Sequence, residues 1–87
     1  MATHKSAEKR MRQNEKRRMR NASIKTRVKT SIKEVLSALE EKDRERSSKA
    51  LLSATKVIDS AASKGVLHRN NAARKISRLT KKVNILG

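Results

Sequence analysis

Apolar residues recur along most of the chain at spacings of three and four, the period of a helix that is buried along one face. The first stripe consists of Ile24, Val28, Ile32, Val35, Leu36 and Leu39. The second consists of Ala50, Leu51, Ala54, Val57, Ile58, Ala61 and Ala62, and the third of Ala72, Ala73, Ile76, Leu79, Val83 and Leu86. No segment shows the alternation of a strand. The pattern therefore predicts three amphipathic helices.

The residues between the stripes are typical of helix ends. The chain has no proline and only two glycines, so long helices can run without interruption. Asp43 or Ser47 suits the N-cap of the second helix, Gly65 the position after its end, and Asn70 or Asn71 the start of the third. We expect helices at about 6–39, 44–63 and 70–86.

The lengths of these helices predict an uneven bundle. No stripe can be buried alone, so we expect an all-α, antiparallel three-helix bundle that forms a single domain over residues 1–87. The first helix would be about 50 Å long and the second about 30 Å, which leaves an overhang of about 20 Å. The basic N-terminal half of the first helix should project from the bundle (residues 21–87), and we call residues 1–20 the arm.

Charge is concentrated at both ends of the chain. The formal net charge is +16, from 24 Lys and Arg against 8 Asp and Glu. Residues 1–33 carry +10, residues 34–63 carry −1 and residues 64–87 carry +7. Cations gathered in this way repel one another until a polyanion neutralises them. The sequence thus predicts a nucleic-acid-binding protein with contacts at both ends and a scaffold in the middle.

The arm is polar on every side and has no apolar stripe. A helix of this kind is unstable without a partner. We expect the arm to be largely unfolded in the free protein and to become helical when phosphates neutralise it.

The residue types for catalysis or metal binding are sparse. There is no cysteine, and His4 and His68 are far apart, so neither a catalytic triad nor a zinc site has its ligands. His68 is read as a helix-start residue or a phosphate contact. The acidic run from Glu40 to Glu45 is explained by solvated charge and capping. We predict no enzyme activity, no metal, no cofactor and no small-molecule substrate.

The absence of aromatic residues restricts the mode of binding. Single-strand binders stack bases on Phe, Tyr or Trp, and this chain has none. Recognition should therefore rest on phosphates, 2′-hydroxyl groups and shape. Composition alone leaves RNA and DNA open, and a histone-like DNA architectural protein is the alternative.

Membrane association is not expected. No apolar run approaches the roughly 18 residues of a membrane span, and the arm lacks the apolar face that a membrane-active cationic helix needs. We expect a cytoplasmic protein.

Two sequence blocks resemble a known family. The run from Lys5 to Arg10, the run from Arg12 to Arg18 and the triplet Asn21 to Ser23 are similar to the N-terminal signature of the ribosomal protein S20 family of the bacterial small subunit. The run from Lys64 to Lys75, with Ser77 to Leu79, is similar to a second and more specific block. The resemblance covers essentially the whole chain.

This resemblance implies a three-helix bundle with a long first helix. It implies direct binding to 16S ribosomal RNA early in small-subunit assembly, as a monomer within the ribosome, and leaves other small-subunit proteins open as neighbours. With the charge pattern, it indicates RNA contacts in both blocks. The expected contact residues are Lys5, Ser6, Lys9, Arg10, Arg12, Gln13, Lys16, Arg17, Arg18, Arg20, Asn21, Ser23, Lys25, Arg27, Lys64, His68, Arg69, Asn70, Arg74, Lys75 and Arg78.

Overall fold

Three helices make up the fold. The computed structural model describes residues 4–86, with side chains from residue 7 onward, so residues 1–3 of the arm lie outside the described part. The helices are α1 (His4–Glu40), α2 (Arg44–Ser63) and α3 (Arg69–Leu86), and residues 4–86 contain no strand. The predicted all-α fold is confirmed. The helix ends agree with the expected ones to within two residues.

The connections make neighbouring helices antiparallel. Residues 41–43 join α1 to α2 and residues 64–68 join α2 to α3, and each connected pair packs along its length. The chain therefore turns back twice, and α3 runs parallel to α1. The end of α2 and the start of α3 consequently lie beside the middle of α1, at the root of the arm.

The first helix extends far beyond the other two. It has 37 residues and α2 has 20, which correspond to about 55 Å and 30 Å. The described chain measures 62 × 21 × 14 Å, and its radius of gyration is 17.5 Å, against about 12 Å for a compact chain of this length. Every residue from Ala7 to Arg20 is exposed. The projection of the basic half of α1 is confirmed.

The core is narrow and follows the predicted stripes with small shifts. Its largest fully buried side chains are Ile58, Val35 and Ser47. Leu36, which was assigned to the first stripe, is 37% exposed. Ala38, which was not assigned to it, is fully buried. Ser47 is tolerated in the core because its hydroxyl donates to the carbonyl of Asp43 at 2.6 Å.

The turn between α1 and α2 closes both helix ends. At the end of α1, the Asp43 N–H donates to Ala38 O at 3.1 Å and the Lys42 N–H donates to Leu39 O at 3.0 Å. This is a Schellman motif, and its left-handed position is Lys42, at φ 56°. Asp43 also starts α2, since its Oδ1 accepts from the Arg46 N–H at 3.0 Å. Of the two cap candidates, Asp43 is therefore the N-cap.

The turn between α2 and α3 repeats the motif with glycine. The Val66 N–H donates to Ala61 O and the Gly65 N–H donates to Ala62 O, both at 3.0 Å, and Gly65 has φ 77°. The prediction that Gly65 follows the end of α2 is confirmed.

The predicted start of α3 is wrong by one or two residues. The helix begins at Arg69, before Asn70 and Asn71. Its cap is His68, whose Nδ1 accepts from the Asn70 N–H at 3.1 Å while its carbonyl accepts from the Ala72 N–H at 3.0 Å. An imidazole nitrogen fills the acceptor role that an asparagine oxygen was expected to fill.

Candidate nucleic-acid interface

The arm presents its cations directly to solvent. Each expected contact residue from Lys9 to Arg20 is exposed, as are the three that follow the root of the arm, Ser23, Lys25 and Arg27. Lys5 and Ser6 belong to the first turns of α1, and their side chains lie outside the described part. The cations are therefore accessible along the whole described length of the arm.

Within residues 7–86, no carboxylate forms an ion pair with these cations. Among the side chains of residues 7–86, no Lys or Arg from Lys9 to Lys33 forms an ion pair, although Glu8, Glu15 and Glu34 lie on the same helix. The described ion pairs, Arg46–Glu41 and Lys49–Glu45, lie at the opposite end of the bundle. The positive potential of the arm is thus available to an external anion.

Asn21 lies where the arm joins the bundle, and it is less available than its neighbours. It is half-buried, and its Oδ1 is buried without a hydrogen-bond partner. Of the expected contacts with described side chains, only Asn21 and Lys75 are half-buried rather than exposed. We therefore assign Asn21 a smaller part in ligand contact than Arg17 or Arg18.

A shallow groove crosses the arm close to its root. It is lined by Asn14, Arg17, Arg18, Asn21, Ala22 and Lys25. Asn14 was not among the expected contacts, although its position three and four residues before Arg17 and Arg18 places it on their side of the helix. This spacing is the signal that could have identified it.

The second basic block lies at the root of the arm. Lys64, His68, Arg69, Asn70 and Arg74 are all exposed. The Gly65 turn and the His68 cap fix the backbone here, so the block occupies a defined place at the end of the bundle. The antiparallel order of the helices thus brings together two blocks that lie some forty residues apart in the sequence.

The face of α1 that packs in the bundle continues into the arm. Arg10, Arg17, Val28 and Val35 are separated by seven, eleven and seven residues, which at 100° per residue places them within about 20° of one line. Val28 and Val35 are buried against the other helices. By this helix geometry, Arg10 and Arg17 lie on the side of the arm that faces the end of the bundle, where Lys64 and Arg69 lie. We call these four residues the basic corner.

Further cations follow α3 away from this corner. Arg74, Arg78 and Lys81 are exposed and recur at spacings of four and three, so they form one row along the helix. Lys75 lies beside the row and is half-buried. The row thus extends the basic surface from Arg74, near the corner, to the expected contact Arg78.

The far end of the molecule has a different character. The acids Glu40, Glu41, Asp43 and Glu45 surround the α1–α2 turn. An open apolar groove lies next to this turn between the C-terminal ends of α1 and α3, where Ile85 is 85% exposed. Lys33 and Lys82 line the same groove, so this end combines charges of both signs. The candidate interface is therefore assigned to the arm, the corner and α3, where cations outnumber acids most strongly.

Residues 4–86 lack the features of a metal site and of a membrane-spanning helix. The described part of the chain contains no group of three or more His, Cys, Asp or Glu side chains that could hold a metal ion. No helix within residues 4–86 combines the length and apolar character that a membrane crossing requires. His68 is occupied as the cap of α3.

Comparison with known proteins gives full-length matches. A family model described as Ribosomal protein S20 matches residues 2–84. The small ribosomal subunit protein bS20 of Syntrophus aciditrophicus (strain SB) is 62% identical over 84 residues, which cover 97% of this chain and 94% of that protein. The protein of the same name from Geobacter sulfurreducens (strain ATCC 51573 / DSM 12127 / PCA) is 54% identical over 87 residues and all of both chains.

Proposed function

The chain belongs to the ribosomal protein S20 family, and from that premise we propose that it binds 16S ribosomal RNA directly and stabilises the RNA fold early in small-subunit assembly. The family consists of structural ribosomal proteins, so the expectation that the chain is not an enzyme is confirmed. Its place is the ribosome, in the bacterial cytoplasm.

The observation that carries the proposal is the basic corner with its adjoining arm. Two blocks of exposed cations meet there, and no acidic side chain of the described residues pairs with those of the arm. Retaining so many unpaired cations on one continuous surface is unfavourable in the free protein, because they repel one another. A phosphate backbone removes this repulsion.

The binding mechanism is electrostatic and depends on shape. Each Lys or Arg that meets a phosphate releases condensed counterions, and this release drives binding and weakens the repulsion between neighbouring RNA helices. The arm contacts one RNA element while the bundle end seats against another, so the protein clamps two helices together. With no aromatic residue in the chain, the contacts are to phosphates, 2′-hydroxyls and groove edges rather than stacked bases.

Competition binding tests the RNA assignment against the DNA alternative. Labelled folded 16S RNA is first bound to the protein. Unlabelled folded 16S RNA or duplex DNA of equal phosphate content is then added as the competitor, at the same salt concentration. We expect the DNA to compete at least about a hundredfold less well, since non-specific charge binding is much weaker than binding to a fitted site. Equal competition by the two polymers would favour a histone-like DNA-binding protein and refute the proposal.

A further inference from the structure

One side of the arm carries no cation. Glu8, Met11, Glu15, Met19 and Ala22 follow one another at spacings of three, four, four and three, so they form a strip that covers about 80° of the helix circumference. All five residues are exposed, and Met11 and Met19 are 67% and 72% exposed. We call this set the back strip. It contains both acidic residues of the first 33.

The remaining circumference is strongly basic. Six of the seven cations in residues 7–20 lie within an arc of about 160° that excludes the back strip. Those six are Lys9, Arg10, Arg12, Lys16, Arg17 and Arg20. We call this arc the cationic side. Arg18 stands alone, just beyond the other edge of the strip. When it is helical, the arm therefore has a cationic side and a side without cations, although its sequence is basic along its whole length.

The bundle fixes the direction in which each side faces. α1 runs without a break from His4 to Glu40, so the rotation of the arm about its axis is set by the packing of Val28 and Val35. The edge of the cationic side that holds Arg10 and Arg17 faces over the bundle end, toward Lys64 and Arg69. The back strip lies on the opposite side of α1, away from α2 and α3.

We propose that the arm binds RNA through its cationic side alone and that the back strip faces away from the RNA. This inference rests on the proposed function and specifies which side of the arm contacts the RNA. Turning the arm by half a revolution would set Glu8 and Glu15 against phosphates and leave the cations in solvent, an arrangement that electrostatics opposes. The RNA element nearest the arm therefore lies against its cationic side.

Single cysteines test the orientation, because the chain has none of its own. Met11→Cys and Met19→Cys label the back strip, and Gln13→Cys labels the cationic side without removing a charge. Position 13 lies between positions 11 and 19 along the helix axis, so a difference in their alkylation rates cannot come from their distance to the bundle. The rate of alkylation by a small neutral reagent is measured for each variant, free and bound to folded 16S RNA.

At position 13 we expect RNA to slow alkylation by about tenfold or more, and at positions 11 and 19 by no more than about twofold, because the thiol in contact with RNA is shielded from solvent. Comparable protection at all three positions would mean that RNA surrounds the arm, and stronger protection at 11 and 19 would mean that the arm is turned round. Either result overturns the inference and leaves the proposed function intact. Failure of the unmodified chain to form any complex would overturn the proposed function.

A charge addition gives a second readout. Gln13→Lys and Met19→Lys each add one cation to an exposed position of the arm. We expect Gln13→Lys to steepen the dependence of log affinity on log salt by about 0.7 to 0.9, the contribution of one new phosphate contact, and Met19→Lys to leave it unchanged. Equal steepening by the two variants would contradict a one-sided contact.

Discussion

At the scale of single residues, the two turns of the bundle use the same hydrogen-bond pattern with different residues. Each has a left-handed position after a helix, occupied by Lys42 at φ 56° in the first turn and Gly65 at φ 77° in the second. A side chain in this conformation costs about 1 kcal/mol, because its Cβ crowds the following carbonyl, and glycine avoids that cost. The first turn therefore carries backbone strain that the second does not.

Lys42→Gly should stabilise the protein for this reason. We expect the free energy of unfolding to rise by about 0.5 to 1 kcal/mol, measured by urea denaturation followed by circular dichroism. Lys42→Ala removes the same charge and keeps a Cβ, so it should give little or none of this gain. Equal effects of the two substitutions would show that charge rather than backbone conformation is responsible.

Gly65→Ala should have the opposite effect. A Cβ at this position would meet no atom within 4 Å, so the only cost is the left-handed backbone, and we expect a loss of about 1 kcal/mol. The same denaturation experiment measures it. A neutral result would mean that the turn can change its conformation without disturbing the bundle.

The His68 cap is a second feature of residue scale. Replacing His68 by Ala should lower the free energy of unfolding by about 0.5 to 1 kcal/mol, because the Asn70 N–H loses its acceptor. His68→Asn should retain the stability, since asparagine is a strong N-cap. If both variants lost the same stability, the imidazole would be contributing through packing instead of through its hydrogen bond.

At the scale of elements, α1 joins two segments with different sources of stability. From Ile24 onward, one face of the helix is buried against α2 and α3. From Ala7 to Arg20 every residue is exposed, and cations such as Lys9, Arg12 and Lys16 follow one another at spacings of three and four. Like charges at these spacings destabilise a helix. The conformation of the arm therefore depends on its ionic surroundings, while the bundle half does not.

The coupling between arm folding and RNA binding stays a prediction, and it can be measured. Far-ultraviolet circular dichroism of the protein titrated with folded 16S RNA, after subtraction of the RNA signal, should show a gain in helicity that saturates at equimolar ratio. The gain should correspond to no more than the arm, because the bundle is already helical. A titration without any gain would mean that the arm is helical before it binds.

At the scale of the whole molecule, charge is arranged along the long axis. The arm, the corner and the start of α3 are basic, and the α1–α2 turn at the far end is acidic. A molecule with this polarity approaches a polyanion with its arm leading, because the field orients it during encounter. The acidic turn is then directed away from the RNA or toward a basic neighbour.

Removing charge from the arm should therefore matter more than removing it elsewhere. Replacing Arg10, Arg17 and Arg18 together by Gln should weaken RNA binding and flatten the slope of log affinity against log salt by about 1.4 to 1.8, for the loss of the phosphate contacts of Arg10 and Arg17, since Arg18 lies outside the cationic side. The matched control replaces Lys33, Lys42 and Lys56 by Gln, which removes the same charge outside the arm, the corner and α3 and should change the slope much less. An equal change in the two variants would refute a leading role for the arm.

Much of the fold could be predicted from sequence because it follows from local rules. The periods of the stripes gave three helices, the overhang followed from their lengths, and Gly65 marked a helix end. The details that were missed depend on competition between neighbouring groups. The reading of His68 as a helix-start residue agrees with its place as the cap of α3, but Asn70 and Asn71 were also expected there. Lys42 takes a conformation that glycine favours, because the hydrogen bonds of the turn outweigh the preference of one residue.

The candidate interface, like the fold, could be predicted from the sequence only in part. The cations in the arm and at the start of α3 were evident from charge and from resemblance, but the side of the arm that faces the bundle end was not. Asn21 is expected to contact a ligand, and the burial of its Oδ1 was not foreseen. The burial of this atom depends on how α1 packs at the point where the arm joins the bundle, and the composition of the segment does not indicate it.

The amino-acid sequence by itself determined that this chain is helical, basic at both ends and a member of a ribosomal protein family, because period, charge and motif are properties of the order of residues. Only the tertiary structure decided which side of the arm faces the bundle end. That outcome depends on the rotation of α1 about its axis, and this rotation is set by the burial of residues far along the helix from the arm itself.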